Sequence, residues 1–315
     1  MLNVQRLNVL REVAARGSFS VAADALSYTQ SAVSQAVATL EAETGVTLIE
    51  RDRRGVRPTV AGEALVAHAE GILSRLEAAE AEVAAIAGAR GGRLRMASFP
   101  SAGATLMPLA IATFSAAHPG VVLSLAEGEP EETVPRLRAG EFDLVLLYEF
   151  RGTSEKPGGG MRRFELLEDP MHVALPSDHP LVGKKRLRLE DLSDESWVQT
   201  SAESPCSRHV VRSCHAAGFE PSVSFESDDY QTVQGLVAAG VGVALIPQLA
   251  LSSVRDDIRI RALHPHSPVR SVLAATPRGA AVMPAVASML DVLRAAARRF
   301  GEARRGEGTD DRRAG

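Results

Sequence analysis

Apolar residues recur at helical spacing three times before residue 41. Leu7, Leu10, Val13 and Ala14 predict an opening helix that Gly17 is placed to end. Ala22, Ala23 and Leu26 mark a second, with Ser20 as its candidate cap. Thr29 can cap the third. At 100° per residue its Val33, Val37 and Leu40 share one side, while Ser31, Ser34, Gln35 and Ala38 gather on the other. Ser27-Tyr28 makes the corner, and the small Ala23 lets two helices approach closely. The pattern is a helix-turn-helix whose second helix packs by one face and leaves the other small and polar. Residues 45–58 then read as strand, turn and strand around Arg53-Arg54-Gly55.

Thr59 caps a longer pattern that persists to about Ala87. Leu65, Ala69, Ile72, Leu76, Ala79, Val83 and Ile86 follow alternating steps of four and three, the seam of a coiled coil. Such a helix is about 40 Å long at the standard rise, too long to bury its stripe in the small N-terminal domain. It predicts pairing with a second copy through Leu65, Ile72, Leu76 and Val83, the other arrangement being a helix laid on its own chain's second domain. Gly88, Gly91 and Gly92 break it. From Arg93 onward, strand patterns at 94–99, 121–126, 142–147, 171–175, 197–200, 223–227, 241–246 and 271–276 alternate with helical segments. Regular alternation predicts βαβ units and a mainly parallel sheet. Residues 152–160 read as a polar, Gly-rich crossover between two halves.

At 315 residues the chain is too long for one ordinary core. The expected organisation is a DNA-binding type head at 1–58, a linker helix and hinge at 59–92, and a two-lobed α/β domain at 93–300. Residues 301–315 lack apolar periodicity and are expected to be disordered. A net charge of −4 gives no global attraction to nucleic acid, so any basic footprint is local. It sits in the hairpin, where Arg51, Arg53, Arg54 and Arg57 face only Asp52; residues 1–58 as a whole hold seven arginines against six acids. Arginine at such a tip suits a narrow minor groove or paired phosphates; a solvated turn is the alternative. Two cysteines argue against a disulfide-built secreted protein. Arg6 and Arg11 interrupt the opening segment, and no apolar run spans a bilayer, so a cytoplasmic location and no membrane partner are expected.

From Leu7 to Ala69 the chain resembles the winged helix-turn-helix of the LysR-type transcriptional regulators. The matching residues are Gly17-Ser18-Phe19, Ala22-Ala23, Leu26, Gln30, Ser34, Leu40-Glu41, the run from Gly45 to Arg51, and the run from Pro58 to Glu63. The likeness continues to about residue 300. It implies a winged helix-turn-helix, a long linker helix and an α/β effector-binding domain of two subdomains joined by a double crossover, similar to periplasmic binding proteins, the first subdomain comprising 93–150 and 267–300 and the second 163–266. The implied function is transcription regulation by a homodimer or homotetramer on double-stranded DNA with an inverted repeat, under control of a small-molecule effector. Gln30, Ser31, Ser34 and Gln35 are positions at which relatives touch DNA, and the two glutamines can read adenine edges. Relatives often carry arginine at the place of Gln35, and no positive charge follows here, so Arg6, Arg11, Arg16 and the wing are expected to hold phosphates.

In open α/β sheets ligands bind beyond the carboxyl ends of strands. The segments 98–103, 127–130, 200–206 and 227–229 meet that description and nominate Ser98, Pro100, Ser101, Glu127, Glu129, Thr200, Ser201 and Asp228 as effector contacts; each serine has a helix cap or turn as its plainer role. Glu129 stands near where carboxylate-binding relatives offer Ser or Thr, which with Asp228 disfavours an anionic effector. A peroxide-sensing branch of the family uses two cysteines, so a thiol-based redox regulator using Cys206 and Cys214 is an alternative. Their spacing of eight puts them about 12 Å apart on one helix, too far for a disulfide without unfolding. A small-molecule binding module without DNA function is a further alternative. Walker A, G-x-S-x-G and H-E-x-x-H motifs are absent, and Gly240-Val241-Gly242 lacks the third glycine of a dinucleotide fingerprint. No enzyme activity, cofactor or metal is expected.

Overall fold

Asn3 opens α1 (Val4–Arg16), its side-chain oxygen accepting from Gln5 N–H at 2.9 Å, and Gly17 ends it at φ +61°. In this computed structural model, which describes residues 2–52, 55–86, 92–150, 160–278 and 283–310, the chain forms two compact units. The first holds the N-terminal 89 residues and Arg138–Glu141, the second the remainder.

Ser18, rather than Ser20, caps α2 (Phe19–Leu26). Phe19 must enter the core, where it is 6% exposed, and that places Ser20 inside the helix. Ser27 leaves α2 with φ 56°, and Tyr28 N–H donates to Ala23 C=O at 2.9 Å to close the corner. Thr29 caps α3 (Gln30–Thr44), accepting from Ala32 N–H at 3.2 Å, and α3 buries Val33, Val37 and Leu40 as the periodicity requires. The wing follows as β1 (Ile49–Asp52) antiparallel to β2 (Gly55–Pro58). Glu41 fastens α3 to it, its carboxylate accepting from Leu48 N–H at 2.8 Å and Ile49 N–H at 3.2 Å.

Thr59 caps α4 (Val60–Ile86), accepting from Gly62 N–H at 3.0 Å. Position 62 admits glycine alone: a Cβ there would lie 2.0 Å from the Leu48 carbonyl oxygen. Leu65 packs against the N-terminal core and Ala69 is buried within it, so the first part of the seam is covered by its own domain. Ile72 and Leu76 stay 42% and 44% exposed. The Val83 side chain lies outside the described residues.

In the second unit β3 (Gly92–Ser98), α5 (Pro100–Ala117), β4 (Val121–Glu127), α6 (Pro130–Ala139) and β5 (Leu144–Phe150) make parallel βαβ units. Then the pattern changes. Strand β6 (Met161–Pro176) is sixteen residues long. It is followed by β7 (Ser196–Gln199), α7 (Pro205–Ala216), β8 (Ser222–Glu226), α8 (Tyr230–Ala238), β9 (Ala244–Pro247), β10 (Ile258–Arg261), β11 (Val269–Pro277) and α9 (Pro284–Asp310). The sheet runs β10-β6-β11-β5-β3-β4 with β9 also on β6, and β7 pairs β8 in parallel. It is mixed rather than mainly parallel, because β11 returns antiparallel between β5 and β6.

Only residues 171–175 of β6 carry a clear strand signal. Five charges among residues 161–170 mask the rest, which pairs with β11, while residues 171–176 pair with β9 and β10. The change of partner at Pro170/Met171 therefore marks where one lobe gives way to the other, later than the expected 163, and the 152–160 crossover lies almost wholly outside the described residues. Helix α9 runs to Asp310, ten residues beyond its expected end, so a helix occupies much of the tail read as disordered. Helices α5 and α9 pack with β3, β5, β6 and β11 around Met96, Phe114, Leu144 and Leu293.

Candidate nucleic-acid face and effector site

Burying Val33, Val37 and Leu40 turns the opposite face of α3 outward. Gln30, Ser31 and Gln35 are exposed and Ser34 is half-buried. The Ser31 hydroxyl lies 3.0 Å from the Thr29 hydroxyl, which holds it at the helix start. On the wing, Arg57 is exposed; Arg51 lies in β1 opposite Val56, and Arg53 and Arg54 fall outside the described residues. The three arginines of α1 each have a carboxylate partner. Arg6 pairs with Glu43, and Arg11 and Arg16 both pair with Glu12, at 3.0 and 2.8 Å. Their charge is answered inside the head, and Glu12 is held below its ordinary range by the Arg16 hydrogen bond first and Arg11 next.

Of the cleft candidates, Ser101 contacts a buried cation and Glu129 lies near it. Arg270 on β11 is 1% exposed; its Nε donates to Asp169 of β6 at 2.8 Å, and its Nη2 donates to the Ser101 hydroxyl at 2.6 Å. The guanidinium carbon also sits 4.9 Å from the Phe99 ring centroid and 4.6 Å from that of Tyr148. Burial opposes the charge on Arg270, but Asp169 and the surrounding acidic groups outweigh it and keep the group protonated. The second Asp169 oxygen accepts from Leu249 N–H at 2.9 Å, completing the pair.

Beside this pair, Glu129 at the start of α6 accepts from the Tyr148 hydroxyl at 2.8 Å. Burial pushes the Glu129 carboxyl up to about 7, against the pull of Tyr148 and Arg270, with Glu131 and Asp228 adding to the rise. Cys206, at the second position of α7, places its Sγ 3.7 Å from the Tyr230 hydroxyl of α8. Burial holds this thiol above its ordinary value despite Arg270. Cys214, two turns along the same helix, is pushed up to about 12 by burial and Glu220.

Most of the nominated hydroxyls are engaged within the chain. Ser98 donates to the Phe99 carbonyl at 3.1 Å, Ser101 receives Arg270, and the Thr200 and Ser204 hydroxyls are 2.6 Å apart. Ser201 N–H donates to Asp228 at 2.9 Å, fixing that carboxylate across from Glu129. Pro100 begins α5, and Glu127 is exposed at the end of β4. Sequence reading missed Tyr148, Asp169, Tyr230 and Arg270. Arg270 and Asp169 did leave a signal, an arginine beginning an apolar alternation and an acid in a strand, but nothing local shows that residues 101 apart answer each other.

Side-chain alternation gives the crossover strands a second face. Asp169 and Arg270 point one way; Glu168, Pro170 and Val269 line a concavity of about 580 Å³ with His209 and His266. There the His209 ring stacks on Phe150 at 3.8 Å, and burial lowers its imidazole to about 4. Among the described residues no three His, Cys, Asp or Glu side chains group as a metal site, and no helix is long and apolar enough to cross a membrane.

A winged helix-turn-helix followed by a linker helix and a two-lobed α/β domain defines a DNA-binding regulator with an effector-binding domain. Residues 4–63 match the bacterial regulatory helix-turn-helix of the LysR family, and residues 87–298 match the LysR substrate binding domain. The chain belongs to the LysR family of transcriptional regulators. It is 35% identical to a probable HTH-type transcriptional regulator, LrrA, of Synechococcus elongatus, over 93% of this chain and 97% of that protein. It is 33% identical to a probable hydrogen peroxide-inducible genes activator of Mycobacterium avium, over 76% of each. The LysR-family regulator CbnR, solved full length with its target DNA, shares the fold at a TM-score of 0.69 and 21% identity, over 94% of this chain and all of that one. Relatives are regulators, not enzymes, which decides against a binding module without DNA function.

Proposed function

We propose that this regulator is controlled by a small cationic or uncharged effector held between the two lobes, against Glu129, Asp228 and the rim at Ser201. The observation that carries the reading is the commitment of Arg270. The cleft's one buried arginine already faces Asp169, so Glu129 and Asp228 are left to set the sign of the field that a ligand meets. An amine or guanidine gains from that field, and a carboxylate loses. A thermal-shift panel of acids, amines and neutral metabolites tests it: amines raise Tm saturably, and a response confined to acids overturns the assignment. Glu129 is neutral below about pH 7 and anionic above. Affinity for the responding amine therefore rises from pH 6 to pH 8, by up to about tenfold for one ionisation, and the rise disappears in Glu129→Gln.

A thiol-based reading has its own support. Gln199, Thr200, Cys206 and Ser207 line a cavity of about 10 Å³, and the buried Gln199 Nε2 has no hydrogen-bond partner there among the described residues. A site of that size is at the lower limit for one water, so a peroxide entering it would have to widen it. The Cys206 sulfur would attack one peroxide oxygen, breaking the O–O bond and giving sulfenic acid and water. A disulfide to Cys214 would then require α7 to unwind. Mass spectrometry of the full chain after mild peroxide, with dimedone to trap sulfenic acid, checks this: selective labelling of Cys206 supports it, and two unreactive thiols end it.

A further inference from the structure

The first lobe carries an arginine ridge that neither the wing nor the cleft uses. Arg162 on β6 and Arg294 on α9 both lie over the ring of Phe164, their guanidinium carbons 5.5 and 5.4 Å from its centroid. Arg278 extends the ridge along the sheet. Its N–H donates to Gly160 C=O at 3.0 Å, and it stands two residues beyond Thr276, the register partner of Arg162. Arg298, one turn past Arg294, extends it along the helix and is exposed, as are Arg162 and Arg278. Four positive groups thus share one surface. Asp291 answers one of them, pairing with Arg294 at 3.1 Å. Arg163, on the opposite face of β6, is by contrast paired with Glu149 at 2.5 Å.

Two like charges on one aromatic ring repel each other. The ring and Asp291 offset part of that cost, and an external anion on the exposed side of the ridge would offset more of it. In a chain of net charge −4, such a local surplus is a selective feature of this surface. Arginine favours phosphate oxygens because its planar fork makes paired hydrogen bonds and keeps its charge. Duplex DNA, which the same chain holds through its winged head, presents phosphates in a row.

We propose that the ridge of Arg162, Arg278, Arg294 and Arg298 is a second phosphate-binding surface, which engages duplex DNA flanking the site read by the head. The partner is duplex backbone without sequence preference, so the ridge adds affinity and salt dependence but no base readout.

Fluorescence anisotropy on the full-length protein tests this with two duplexes recovered by selection from random DNA, one trimmed to the protected core and one carrying long flanks. The wild-type salt slope is steeper on the long duplex. In R162Q/R294Q/R298Q it falls there by about 2 to 3, as expected for loss of three phosphate contacts, while the short duplex is bound as before. The matched charge change K185Q/R186Q/R188Q, in the other lobe, leaves both slopes unaltered. A wild-type slope independent of flank length overturns the proposal. So does a triple variant that weakens both duplexes equally, since the arginines would then act through the fold or the head.

Discussion

Arg270 and Asp169 can share the interior only because each answers the other's charge. Removing one partner strands a buried ion, whereas replacing both with apolar groups of similar volume removes the problem. Asp169→Ala should cost about 3–5 kcal/mol, read as a fall in the urea midpoint of the effector domain in the full chain. The double variant Asp169→Leu with Arg270→Met should recover much of it. A double variant no better than the single would show that the pair is held by its hydrogen bonds to Ser101 and Leu249 more than by charge. Glu129 belongs to the same neighbourhood, and its raised affinity for protons follows mainly from lack of water.

Among the elements, α4 covers only part of its apolar stripe. Leu65 and Ala69 complete the N-terminal core, and Ile72 and Leu76 stay exposed, which we expect a second copy to cover. We expect Ile72→Asp with Leu76→Asp to lower the mass found by analytical ultracentrifugation while leaving the helical circular dichroism nearly intact; a protein that unfolds instead would place these residues in an intrachain core. The seam was legible because period 3.5 is visible in one dimension. Its division was not, since Leu65 and Ile72 look alike until Leu48 and the wing close over one of them. The head was the most legible part: Val33, Val37 and Leu40 are buried and the polar side of α3 is open, as their spacing requires. Strand β10 was missed because Ile-Arg-Ile-Arg is short and edged by charge, and Ser20 was preferred to Ser18 because only packing decides that Phe19 turns inward.

For the whole molecule, Arg6, Arg11 and Arg16 each have a carboxylate partner within the head, and we expect the wing to carry most of the electrostatic work of DNA binding. Replacing Arg53 and Arg54 by alanine should weaken binding to every sequence and reduce the salt slope by about 2. An unchanged slope would return the phosphate contacts to α1. In the second unit, the order of strands and helices followed from their alternation, but the antiparallel return of β11 and the chemistry of the cleft did not, because its residues are brought together by β6 and β11 from distant parts of the sequence. The continuity of β6 bears on signalling. One strand belongs to both lobes, nine residues laddered to β11 and six to β9 and β10, so the lobes are not beads on a slack tether. We expect motion between them to be a torsion of a ribbon that stays hydrogen-bonded to β11 in one lobe and to β9 and β10 in the other. Such a ribbon is stiff in bending and compliant in twist: an effector would transmit a small rotation rather than a wide opening, and the message would be an angle.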